Sequence, residues 1–165
     1  MKNSNTTKEA TLFILKATAI YALAYLVVGA IAYQFLTKQF YVGDAAIFTS
    51  FLRSEADSSL WAHVNQWQIP LLFLRSLLIA LVLLPFAKTL AAFSFKKRLA
   101  VLFGLVFVLA HFAAAAPSPG NLEGIVYMRP ELIDTTTFLL GQPEMIAHSL
   151  LFATGVTYIL RKHSQ

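Results

Sequence analysis

The sequence predicts an all-α, polytopic membrane protein: a four-transmembrane-helix bundle with short interfacial helices in its outer loops. Three observations predict it. Of 165 residues, 58% are hydrophobic and only 13% are charged, too few polar side chains to coat a soluble domain of this size. Four long apolar runs are each bounded by charge, proline or glycine. The basic residues gather at the ends of those runs, mostly on one side.

The whole chain, residues 1–165, reads as a single membrane domain. The first run covers about residues 10–36, broken only by Lys16, whose aliphatic stem can carry its ammonium to the headgroups. Lys2, Lys8 and the Ala30-Ile31-Ala32 triplet imitate a signal peptide, but the apolar stretch exceeds a signal core, so a retained helix is expected. The second run, about 69–86, begins with Pro70 in a first turn and ends at Pro85-Phe86. The third, about 99–116, follows Lys96-Lys97-Arg98 and stops at Pro117-Ser118-Pro119-Gly120. The fourth, about 143–160, ends at Arg161-Lys162-His163. It is barely long enough to cross, so it stands nearly upright or borrows residues from Thr137 to Gly141.

Charge sets the orientation. Lys2, Lys8, Lys16, Lys88, Lys96, Lys97, Arg98, Arg161 and Lys162 fall on one side, while Lys38, Arg53 and Arg129 fall on the other with seven of the eight acidic residues. Positively charged ends stay in the cytoplasm, so both termini and the second loop are expected there, with residues 37–68 and 117–142 outside. The expected location is a cytoplasmic (inner) or plasma membrane.

Composition also removes function classes. No cysteine is present, which excludes disulfides, thiolate metal sites and thiol redox chemistry. The net charge of +5 caps helix ends instead of lining one face, so nucleic acid is not an expected partner. No span holds an aspartate, no two glutamates are adjacent, and neither a G-x-S-x-G nor a Walker motif occurs.

The outer loops do not read as solvated connectors. Asp44 precedes Ile47, Phe48, Phe51 and Leu52, and Leu60, Trp61, Val64 and Trp67 repeat a helical spacing, which predicts two short interfacial helices with the tryptophans at headgroup depth. They act as a lid, a partner surface or a packed cap. In the second outer loop, Pro130-Glu131 is placed to open a short helix, and Thr135 to Leu140 to dip into the membrane before Gly141.

Ionisable groups inside apolar helices are the functional candidates, because a charge near the bilayer centre costs about 2.5–3.5 kcal/mol on insertion scales. At about 1.5 Å per residue, Arg75 lies about 9 Å below Ile69, His111 about 7 Å below Ala116, and His148 about 7 Å below Pro143. All three belong to the outer leaflet and come from different helices, so a bundle can gather them with Glu144, one turn from His148, in a polar pocket. The candidate ligand-binding set is Arg75, His111, Arg129, Glu144 and His148. The bland alternative is a structural cluster in which Arg75 pairs with Glu144, Glu131 or Asp134. Glu144, His148 and His111 add up to three ligands for a divalent cation, yet Arg75 would repel one and no strong metal spacing exists, so no metal or cofactor is assigned.

Tyr21, Tyr25, Gly29 and Tyr33 recur every four residues and form one stripe on the first helix, a seam for packing within the bundle or against another copy. Together these features favour a non-enzymatic membrane module: an oligomeric subunit, or a sensor or binding protein whose polar pocket opens outward. Its expected partners are the lipid bilayer, a second copy or another membrane subunit, and a small-molecule or lipid-headgroup ligand. The alternative is an intramembrane enzyme or small-molecule transporter working through Arg75, His111, Glu144 and His148.

Overall fold

The computed structural model describes residues 2–44 and 46–161, with side chains from residue 7 onward. Lys162 and His163, at the end of the fourth run, lie outside the described residues, as does the side chain of Lys2. The fold is all-α: 81% of the chain is helical, and no strand occurs among the described residues.

Helix α1 (Lys2–Ala32) continues through a π-helical turn, Tyr33–Thr37, and a 3-10 turn, Lys38–Phe40. A second 3-10 turn covers Ile47–Ser50. Helix α2 (Ser58–Leu83) runs on through a 3-10 turn, Leu84–Phe86, into α3 (Ala87–Ala92). Helix α4 (Phe95–Gly104) passes into a π-helical segment, Leu105–Phe112. A short α5 (Leu122–Tyr127) precedes the long α6 (Thr135–Arg161).

Two of these segments, Thr7–Phe40 and Ser58–Ala92, are long and apolar enough to cross a membrane. The other two runs do not meet that measure, for physical reasons. Phe95–Phe112 starts on Lys96, Lys97 and Arg98, which leaves a short apolar remainder. In α6 the apolar residues are diluted by Glu144, His148, Thr154 and Thr157.

Several boundaries differ from the sequence expectation. Asp57, not Pro70, starts the second long helix: its carboxylate accepts from the Ser59 and Leu60 amides at 2.9 and 3.1 Å. Pro70 sits inside the helix, so the second expected interfacial helix, with Trp61 and Trp67, is the N-terminal part of α2 itself. The first shrinks to the turn Ile47–Ser50, with Ala46 at its N-cap. The short helix expected at Pro130 forms at Leu122 instead, capped by Asn121. Residues Thr135 to Leu140 are the first turns of α6, fixed by a reciprocal cap in which the Thr137 amide donates to Asp134 Oδ1 (2.7 Å) and the Asp134 amide donates to Thr137 Oγ1 (2.8 Å).

Helices α1 and α6 form the centre. α2 packs on α1, and both α4 and the Leu105–Phe112 segment pack on α6. The buried seam reads Phe13, Ala17, Tyr21 and Ala24 on α1 against Phe152, Ala153, Val156 and Leu160 on α6, with Leu72, Ser76, Ala80 and Leu83 from α2. Small residues recur at helical spacing along it, which lets backbones approach and gain dispersion contacts. Gly155 marks the tightest point: a Cβ there would stand 2.6 Å from the Ile20 side chain.

Arg98 closes the end of the bundle where α3 meets α4 and the last turns of α6. It is only 4% exposed, and its guanidinium donates to the carbonyls of Leu90 (2.7 Å), Ala91 (2.6 Å), Phe93 (3.0 Å) and Thr157 (2.9 Å). These carbonyls lie at the end of α3 and late in α6, where a cation also meets the negative end of the helix dipole.

Candidate functional site

A cavity of about 280 Å³ lies at the end of the bundle that carries the loops 37–57 and 113–134. Arg75 of α2, His111 of the π-helical segment, and Glu144 and His148 of α6 all line it. Each α-helix presents its residue through ordinary 3.6-residue spacing. His111 arrives differently: a π turn takes one residue more than an α turn, so the wall beyond Gly104 is rotated out of α register.

The floor is aromatic. The His148 ring stands edge-on to Tyr21 at 4.7 Å, to Tyr25 at 5.7 Å and to His111 at 5.6 Å between centroids. The Arg75 guanidinium lies 5.7 and 5.8 Å from the ring centres of Tyr21 and Tyr25, within cation–π range. His148 is 3% exposed, and its Nε2, like that of His111, is buried without a hydrogen-bond partner among the described residues.

Arg75 forms no ion pair with Glu144, Glu131 or Asp134 among the described residues. Glu144 stands instead near Gly29 and Tyr41; a Cβ on Gly29 would lie 3.6 Å from Glu144 Oε1. Burial first, then the Glu144 carboxylate, then Tyr25, push the Tyr41 phenol up from its ordinary value, so Tyr41 remains a neutral O–H donor at physiological pH. Arg75 and Glu144 therefore line one cavity without an ion pair between them among the described residues.

The loop between α1 and α2 roofs this space. Phe40, Tyr41, Phe48 and Leu52 line the cavity, with Phe48 5.5 Å from Phe40 and 5.1 Å from Tyr41, and Lys38 meets Glu55 at 3.7 Å. The loop that leads into α5 supplies Ser118, Pro119 and Gly120. Asn121, 2% exposed, holds that loop: its Oδ1 accepts from the Ser118 and Gly124 amides, and its Nδ2 donates to the Ala116 carbonyl at 2.7 Å. Gly124 packs so closely on the Ser118 carbonyl that a Cβ has no room. Gln142 Nε2 donates to the Gly120 carbonyl at 2.9 Å, locking the loop to α6.

Of the five residues that the sequence nominates for ligand binding, four line the cavity; Arg129 does not, and pairs with Glu131 at 3.3 Å on the exposed surface. The tyrosine stripe turns inward. Tyr21 is fully buried, Tyr25 and Gly29 line the cavity, and Tyr33 packs on Tyr41 at 5.5 Å, so these residues meet their own chain. Among the described residues no three His, Asp or Glu side chains are grouped to hold a metal ion: the two histidines pack ring to ring while Glu144 stands by Gly29. Sequence reasoning missed Thr37, Tyr41, Ser118 and Thr137 as lining residues. For Tyr41 and Ser118 the one sequence signal was their position just beyond the apolar runs.

No protein-family model matches this chain, and neither a characterised protein nor a solved structure matches it.

Proposed function

We propose that the chain is a four-span membrane protein with both termini in the cytoplasm, and that it works as a binding module whose outer-leaflet cavity takes a small charged ligand. One observation carries the binding reading: Arg75, His111, Glu144 and His148 converge from three helical segments on one cavity without an ion pair among them. Unneutralised charges inside an apolar bundle are costly, and a ligand that contacts them offsets that cost. The membrane reading is supported by the surface of the two longest apolar helices. Only 28% and 22% of their most apolar stretches are buried, whereas a core helix of a soluble domain is mostly covered. Within α6 the most polar side chains, Glu144 and His148, face the cavity, so the rest of that helix is compatible with lipid. The assembly part of the expectation has no such support, because the stripe on which it rested faces the chain's own cavity.

The absence of cysteine makes topology directly testable. Phe95→Cys, at an exposed position beside the cationic turn, should react with a membrane-impermeant maleimide only after permeabilisation; Tyr127→Cys, 70% exposed on α5, should react in intact cells. The opposite pattern would overturn the orientation. For binding, the protein purified in mild detergent should carry a non-covalent mass in native mass spectrometry. That mass should be lost in Arg75→Ala and in Gly29→Leu, which grows a side chain toward Glu144. A wild-type chain that is always bare would sink the reading.

A further inference from the structure

We infer that the ligand is a zwitterionic phospholipid with a primary ammonium, whose headgroup enters the cavity sideways from the outer leaflet. The inference rests on the binding reading above and names the class of ligand.

The route comes from the packing. α2 is held by α1 and the Leu105–Phe112 segment by α6, and these two outer walls have no substantial packing against each other. Arg75 stands at that edge. It lines the cavity, yet it is an exposed residue, and on its helix face Leu71, Leu78 and Val82 are 56, 53 and 66% exposed. The guanidinium therefore joins a polar chamber to an apolar stripe suited to acyl chains. From above, a water-borne ligand meets the roof of Phe40, Tyr41, Phe48 and Leu52; from the side, an amphiphile keeps its tails in hydrocarbon while its head moves inward.

The headgroup class comes from the charges. Arg75 suits a phosphate, since guanidinium pairs with phosphate oxygens in a planar fork. Glu144 lies toward Gly29 and Tyr41, where an ammonium can donate to its carboxylate against the Tyr25 and Tyr41 rings. An anionic headgroup satisfies Arg75 and leaves Glu144 buried and repelled. A phosphate and an ammonium on one short linker satisfy both. The cavity, about 280 Å³, suits a headgroup and is too small to take the whole lipid.

Native mass spectrometry of the full chain in mixed micelles tests this, with phosphatidylethanolamine, phosphatidylglycerol, phosphatidylcholine and phosphatidic acid supplied at equal ratio. The wild type should retain phosphatidylethanolamine over each other lipid by on the order of tenfold. Glu144→Gln should still retain phospholipid but lose that preference, Arg75→Gln should retain none, and Arg75→Lys should recover part of the retention. Equal retention of phosphatidylglycerol by the wild type, or an unchanged preference in Glu144→Gln, would overturn the inference. A bound mass that is not a phospholipid would overturn it while leaving the binding reading intact, and a chain that carries nothing would remove both.

Discussion

Arg75 and Arg98 are the same side chain in opposite circumstances. Arg98 belongs to the cluster Lys96-Lys97-Arg98 and reads in the sequence as one more cytoplasmic charge, yet it is 4% exposed and bonded to four backbone carbonyls. Arg75 stands alone in an apolar run and reads as the residue most in need of a partner, yet its neighbours are the faces of two tyrosines. The inner arginine has its hydrogen bonds supplied by the fold. Arg75 lies against Tyr21 and Tyr25 with no carbonyl or carboxylate bonded to its guanidinium among the described residues. Arginine charge in this bundle is thus either buried and absorbed by backbone acceptors or left exposed beside a cavity, and the two ends of the molecule divide the alternatives between them.

Substitution should separate the two roles most sharply. Hydrogen bonds from a charged donor are worth about 1.5–3 kcal/mol each and do not add fully, so Arg98→Ala should lower stability by about 3 kcal/mol or more. Arg98→Lys should recover little, because an ammonium cannot span four divergent carbonyls. Arg75→Leu removes a group that costs about 2.5–3.5 kcal/mol on insertion scales, so its melting temperature in detergent should equal or exceed the wild type while ligand retention is lost. Equal destabilisation by the two replacements would erase the contrast.

A smaller effect is expected at Asn121, which belongs to the outer half but behaves as Arg98 does. Asn121→Ala leaves the Ser118 and Gly124 amides and the Ala116 carbonyl without their partner, at a cost of about 1–3 kcal/mol for a buried group left unsatisfied. Because Ser118, Pro119 and Gly120 line the cavity, ligand retention should weaken along with the melting temperature. Weakened retention without a change in melting would make Asn121 a ligand contact and move it to the side of Arg75.

How far the sequence could be read follows from the same physics. Long apolar runs bounded by charge, proline or glycine announce helices, so the all-α fold and the approximate positions of its helices were legible. Glu144 and His148 were legible as neighbours through their spacing, and Arg75 and His111 as residues that need a polar surrounding. Boundaries set by side-chain caps were not. Asp57 lies well ahead of the apolar run, and Pro70 and Pro143 read as starts although both are carried inside helices. The π-helical segment that contains His111 has no sequence signature, and neither does the burial of Arg98, one of whose acceptors, the Thr157 carbonyl, is distant in the chain.

The mildest prediction concerns the start of α6, where the comparison can be sharpened by pH. Asp134 is exposed, and its carboxyl is held below the usual aspartate range, first by the Thr137 amide and then by the Thr137 hydroxyl. A group whose pKa is depressed by folding contributes stability above its unfolded value and loses it as pH falls through its folded one. Acidification should therefore lower the hydrogen-exchange protection of the Thr137 and Phe138 amides, which bond to Asp134, and Asp134→Asn should flatten that dependence. Arg98 keeps its charge throughout this range, so protection at the inner end of α6 should stay constant. Fraying of both ends together would mean that α6 responds as one unit, and that the satisfied inner arginine does not anchor it independently of the outer half.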